Sequence, residues 1–132
     1  MFPMKVTGRI VGIGIDLAEV HRYRFDDAKM AWFARKVYTG EEVAYAMRKR
    51  NRAERFAGFF AVKEATRKAF GHAIPWRHIG VTHARSGKPA VELSGKWATL
   101  PQQRGVKEIH VTITHTASMA AAVVVLEDDS AT

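Results

Sequence analysis

Two acids and a lysine are the residues of this sequence best placed to do chemistry. Asp16 lies in a run where Val11, Ile13, Ile15 and Leu17 alternate with Gly12, Gly14 and Asp16. That alternation predicts a strand over residues 8–17 with one apolar face, so Asp16 points away from the apolar set. Its ordinary role would be to cap a turn. Glu64 falls inside a helical stretch, 52–70, whose apolar residues Phe56, Phe59, Phe60, Val62 and Phe70 occupy more than one side. A helix so surrounded is buried against several neighbours, and a carboxylate there is costly unless it is paired or holds a metal. Lys68 lies one turn on, along the stripe Phe56, Phe60, Glu64, Lys68. A plain i,i+4 pair with Glu64 would be worth only ~0.2–0.5 kcal/mol.

Other chemistries are excluded. Gly12-Ile-Gly14 lacks the third glycine of a dinucleotide fingerprint, Leu17 standing in its place, and the pair falls inside a strand. No phosphate-cradling P-loop, zinc motif or nucleophile elbow occurs. The chain has no cysteine, hence no disulfide, no thiolate metal site and no cysteine nucleophile.

The elements that must position these residues can be read in outline. Asp26-Asp27 starts a helix in which Met30, Phe33, Ala34 and Val37 share a face. Thr39-Gly-Glu-Glu42 matches a capping box, opening a second helix. The third, Arg52–Phe70, should stop at Gly71. Strands are expected at 79–84 and 90–93 around the turn Ser86-Gly-Lys-Pro89, a short helix spoiled by Pro101 at 94–103, and a strand at 108–114. Residues 120–126 read as a fully buried strand, and the acidic tail 127–132 as frayed. The fold class is α+β, helices first and a mostly antiparallel sheet after.

With 132 residues, 47% of them hydrophobic, the chain has room for a single domain, 1–132, with a packed core. Residues 1–9 have no apolar core and are not a secretory signal; the longest apolar run, 119–126, is too short for a bilayer. A soluble, cytoplasmic protein is expected. The formal charge of +8, with Arg48, Lys49, Arg50, Arg52 and Arg55 crowded together, suits an acidic protein, a polyanionic small molecule or nucleic acid.

At this point the sequence resembles the holo-[acyl-carrier-protein] synthases. Gly12-Ile-Gly-Ile-Asp16-Leu17 with Glu19 and Arg22 looks like their opening strand. Phe60-Ala-Val-Lys-Glu64-Ala65 through Lys68-Ala-Phe-Gly71 looks like their signature helix. Gly87-Lys-Pro89 and His110-Val-Thr-Ile-Thr-His115-Thr116 match later motifs in order. The resemblance implies the 4'-phosphopantetheinyl transferase fold and a reaction in which a serine of apo acyl carrier protein attacks the β-phosphate of coenzyme A. That step releases adenosine 3',5'-bisphosphate and supports fatty acid biosynthesis. It implies Asp16 and Glu64 as ligands of Mg²⁺ or Mn²⁺, and Lys68 beside the coenzyme A phosphates. It also implies Gly87, Pro89 and His115 near the nucleotide end, and Arg22 on the acidic carrier. Two carboxylates suit Mg²⁺, which keeps waters and takes substrate phosphate oxygens. Glu64 and Lys68 would be the catalytic residues, with Glu64 or a water beside it taking the serine proton.

One departure stands out: relatives commonly carry arginine, a coenzyme A phosphate contact, where this chain has Phe59. A basic residue from Arg48 to Arg55 would have to substitute. The short length resembles the type that forms homotrimers with active sites between subunits, the Asp16 face meeting another chain. The rival reading is a basic nucleic-acid-binding domain, which leaves Asp16 and Glu64 without a task.

Overall fold

Described by a computed structural model over residues 7–130, the chain runs β1 (Ile10–Glu19), α1 (Asp27–Lys36), α2 (Gly40–Met47), α3 (Arg52–Phe70), β2 (Ile79–His83), β3 (Pro89–Leu93), α4 (Leu100–Gln103), β4 (Val106–His115) and β5 (Met119–Asp128). Short 3-10 turns lie at Val20–Tyr23, Trp76–His78 and Gly95–Trp97. The absence of a secretory signal was read on residues 1–9, of which 1–6 lie outside the described residues; so do 131–132 of the tail.

The helix starts follow from local chemistry. Asp26 accepts from Lys29 N (2.8 Å) at the head of α1. Thr39 Oγ1 accepts from Glu42 N (3.1 Å) while Glu42 Oε1 accepts from Thr39 N (2.9 Å), the expected capping box. Helix α3 has the expected bounds and is capped by Gly71. Pro101 does not spoil α4: it sits in the first turn, where a missing N–H costs nothing.

β1, β5 and β4 form an antiparallel sheet in that order, in the register Asp16↔Ala122↔Ile113. Strands β2 and β3 make a separate hairpin. The inner face of the sheet carries Gly14, Asp16 and Ala18, then Ala120, Ala122, Val124 and Leu126, then Val111 and Ile113, and α3 lies across it. Strand β1 and α3 touch backbone to backbone. A Cβ on Gly14 would overlap the Ala65 carbonyl, and one on Gly12 the Ala69 carbonyl, so only glycine allows this approach.

Three expectations need correction. The small face of β1, Asp16 included, is the side packed on α3 of the same chain. The face left open is the apolar one, with Ile13, Ile15 and Leu17 exposed by 61%, 58% and 63%. Helix α3 can come this close only to residues without bulk, which turns the isoleucines outward. For the same reason β5 is fully covered on one side only: Ala120, Ala122, Val124 and Leu126 are buried, Ala121, Val123 and Val125 partly. The tail is not frayed from residue 127. Glu127, 2% exposed, accepts from Thr7 N (2.9 Å) and Gly8 N (2.7 Å) and lies 2.5 Å from His110 Nε2. Asp128 ends β5 and accepts from Arg9 N (2.8 Å).

A buried ion pair ties the helices to the hairpin. Lys63 Nζ lies 2.8 Å from Glu42 Oε1 and donates to Trp76 O (3.0 Å) and Ile79 O (2.6 Å), while Glu42 Oε2 accepts from Val81 N (2.7 Å). Neither side chain touches solvent. Removing both from water is expensive, but every donor and acceptor is satisfied, the condition under which such a pair is tolerated.

Candidate active site

The seam between β1 and α3 gathers the first group of candidate residues. Lys68 reaches from α3 to donate to Ile15 O (3.0 Å) and Asp16 Oδ1 (3.1 Å). It does not pair with Glu64. Instead Glu64 Oε1 accepts from Arg67 Nη1 (2.9 Å) and from Trp76 Nε1 (2.6 Å), which fix its carboxylate. Asp16 and Glu64 act on one common group. The Tyr23 phenol is pushed up to about 12, first by burial and next by Asp16; Arg22 opposes, and Glu64 adds to the rise. Both acids are thus near enough to Tyr23 for their charges to be felt there, one carried by the sheet and one by the helix.

The second group lines a cleft of about 120 Å³, where Gly87, Pro89 and His115 meet Arg55, Phe59 and His83. Gly87 turns the hairpin with φ 89°, a conformation that side-chain-bearing residues rarely adopt. His115 Nδ1 lies 2.6 Å from Glu54 Oε2, though not aligned as a hydrogen bond. Phe59 is 2% exposed and packs on Tyr45 and His83, each 5.8 Å between ring centroids.

These two groups do not converge within the chain. At about 100° per residue, Arg55 and Phe59 project from the flank of α3 opposite Glu64 and Lys68. Asp16 and His115 stand on the two outer strands of the sheet, with β5 between them, roughly 10 Å apart across the sheet. Arg22 is exposed in the turn after β1, paired with Glu19 at 3.2 Å. Sequence reasoning missed Trp76 and Arg67, the partners of Glu64, as well as Tyr23. Trp76 follows Pro75 in a connecting segment where no periodicity marks it. Arg67 beside Glu64 offered an i,i+3 signal that was passed over for the i,i+4 lysine.

Residues 12–124 match the family described as the 4'-phosphopantetheinyl transferase superfamily, and the chain belongs to it. Within that superfamily its relatives are holo-[acyl-carrier-protein] synthases. That of Solibacter usitatus (strain Ellin6076) is 43% identical over 128 residues, which cover 90% of this chain and 99% of the relative. That of Koribacter versatilis (strain Ellin345) is 38% identical, over 90% of this chain and 99% of the relative. Among solved structures, the synthase of Neisseria meningitidis superposes with a TM-score of 0.79 at 27% identity, covering 91% of this chain and 100% of that one. The Bacillus anthracis synthase in complex with CoA (3',5'-ADP) gives 0.72 at 32% identity, covering 91% and 98%. The expected α+β transferase fold is the one these structures share.

Proposed function

We propose that the protein transfers the 4'-phosphopantetheine arm of coenzyme A to a serine of apo acyl carrier protein. The observation that carries this is the contact of Lys68 with Asp16 across the strand–helix seam, one helical turn from Glu64, in a chain 43% identical to a synthase of that name. The serine oxygen attacks the β-phosphorus and forms the new P–O ester. The bond between the β-phosphorus and the bridging oxygen breaks, and adenosine 3',5'-bisphosphate leaves with the electron pair. The serine proton passes to Glu64 or to water beside it.

Mg²⁺, with Mn²⁺ as a substitute, fits the donor set. Asp16 uses Oδ1 for Lys68 and Glu64 uses Oε1 for Arg67 and Trp76, which leaves one oxygen of each acid for a cation. Among the described residues no group of three or more His, Cys, Asp or Glu could hold a metal by itself. Water and phosphate oxygens would complete the shell, as this ion prefers. When bound, the ion supplies charge neutralisation on the diphosphate. Lys68, with two of its three donors engaged by Ile15 and Asp16, directs the third toward a phosphate oxygen. Trp76 and Arg67 hold the Glu64 carboxylate in one orientation.

Assembly belongs to the same reading. The nucleotide-end residues and the seam lie on opposite flanks of α3, and Ile13, Ile15 and Leu17 leave an apolar face uncovered. A homotrimer with sites between subunits would cover that face and let the seam of one subunit meet the cleft of the next. The Ile13–Leu17 face would be the part covered by the other chain, with the seam that holds Asp16 and Lys68 opening at its edge. An acidic carrier suits Arg22 and the nearby cleft of about 520 Å³, which Arg24, Arg50 and Arg52 border. The nucleic-acid reading finds no support in the relatives, and Arg55 of the basic run is a cleft wall. No described helix is long and apolar enough to cross a membrane; a cytoplasmic setting and a place in fatty acid synthesis accompany the proposed reaction.

The test is direct. Protein, coenzyme A, Mg²⁺ and unmodified acyl carrier protein are mixed and the carrier is weighed by mass spectrometry. A phosphopantetheine adduct that a chelator abolishes supports the reading; an unmodified carrier rejects it.

A further inference from the structure

We propose that Arg55 and His83 bind the phosphate monoester at the far end of coenzyme A, its 3'-phosphate, so that these two residues distinguish coenzyme A from its 3'-dephospho form. The inference rests on the proposed function and adds a specificity determinant to it.

Phe59 cannot contact a phosphate, because its ring is buried; it acts as a support. His83 from β2 is stacked on Tyr45 from α2, with ring centroids 4.0 Å apart and planes 4° from parallel, and Phe59 from α3 lies against both rings. Two aromatic neighbours on two helices fix the imidazole where it lines the same cleft as Arg55 and His115. In this chain Phe59 thus helps to hold a histidine in place.

The surroundings of that imidazole are cationic. Arg55 Nε donates to Asn51 Oδ1 (3.2 Å), which pins the guanidinium and leaves its terminal nitrogens for a ligand. Lys49 Nζ stands 4.9 Å from the Tyr45 ring centroid and Arg48 Cζ 5.6 Å from it. From the hairpin, Arg85 borders the groove behind the stack, with Glu41 of α2 opposite. On the cleft side the acid is Glu54, already beside His115 and Asn51. Burial, then Arg55 and Lys49, disfavour protonation of His83. A site with fixed positive charge, a forked donor and a held imidazole matches a dianion with several acceptor oxygens. The diphosphate of coenzyme A is assigned to the seam on the other flank of α3. The remaining dianionic group of that molecule is the monoester.

The test compares binding of adenosine 3',5'-bisphosphate with that of adenosine 5'-monophosphate by calorimetry, using the intact protein. The wild type is expected to prefer the bisphosphate by about tenfold or more, the scale of one charge-assisted contact. Arg55→Met and His83→Phe, the latter keeping an aromatic ring on Tyr45, are expected to remove most of that preference while leaving monophosphate affinity unchanged; Arg55→Lys restores part of it. In turnover, both variants raise KM for coenzyme A and leave KM for the 3'-dephospho form unchanged, with kcat little altered. Thermal melting checks that each variant folds. A wild type with no preference, or variants that keep it or lose both ligands equally, overturns the assignment. If the wild type modifies carrier equally well with both forms of coenzyme A, the inference fails and the transferase survives. If the wild type modifies no carrier with either, the function itself fails.

Discussion

Lys68 and Asp16 are joined across the strand–helix seam, Nζ to Oδ1 at 3.1 Å, and the same ammonium also holds the carbonyl of Ile15. The lysine therefore does for the strand what a cap does for a helix: it satisfies a backbone acceptor and orients the neighbouring acid. Its side chain is 54% exposed against 18% for Asp16, so the pair adds little to stability, about 0–1 kcal/mol. Its value lies in placement.

Asp16→Asn is accordingly expected to separate function from folding. Carrier modification, followed by mass spectrometry, should fall by about 10²–10³, the usual cost of removing one electrostatic contact from a transfer site. The melting temperature should stay close to that of the wild type. A variant that retained most of its transfer rate would remove Asp16 from the site.

If sites form between subunits, two dead variants should rescue each other. Asp16→Ala spoils the seam and His115→Ala the cleft, so each alone is expected to be weak. Co-refolded mixtures should regain transfer, because some seams then face intact clefts. Ile15→Glu should block assembly, seen as a monomer in analytical ultracentrifugation, and abolish that rescue. Mixtures no better than their components would place both groups in one subunit's service.

The buried pair makes a stability prediction. Lys63→Met strands the Glu42 carboxylate in a place without water, and is expected to cost about 3–5 kcal/mol in urea unfolding. Lys63→Met combined with Glu42→Gln should recover part of the loss, since no uncompensated charge remains. Equal losses in the single and double variants would show that the pair acts through packing alone.

Acid should loosen the start of the chain. Glu127 is held below its ordinary value of 4.5, first by the Gly8 amide and then by His110, with the Thr7 amide adding, against a smaller opposing effect of burial. A carboxylate lowered in the folded state gives stability that is present above its unfolded value and lost as pH falls through the folded one. Amide exchange at Thr7 and Gly8 should therefore accelerate as pH drops below about 4.5, once corrected for intrinsic rates. His110→Ala should bring the acceleration to a higher pH. Exchange that is unchanged in that variant would leave the backbone amides as the sole clamp.

The fold was legible in the sequence wherever one local rule governed. The Thr39–Glu42 box, the 52–70 helix and the Ser86–Pro89 turn all appear where composition and spacing put them. Periodicity could say that β1 has an apolar and a small face, but not which of them the protein buries. That depends on how closely α3 approaches, a property of Gly12 and Gly14 against Ala65 and Ala69. The same limit hid the end of β5: Glu127 reads as tail until Thr7, Gly8 and His110, distant in sequence, are brought to it. Asp16, Glu64 and Lys68, the residues proposed for the site, stood out through the motifs around them. Trp76, Tyr23 and His83 were not, because each matters through a partner from another element.

The contact of β1 with α3 at Gly14 has a further consequence. Because the strand rests directly on helix carbonyls, with no side chain between as a cushion, the separation of the two main chains that carry Asp16 and Glu64 has little slack. A hard frame of that kind discriminates by ionic size. If Asp16 and Glu64 hold the proposed cation, calcium, which wants longer bonds and more oxygens than magnesium, is expected to be a poor replacement however abundant it is.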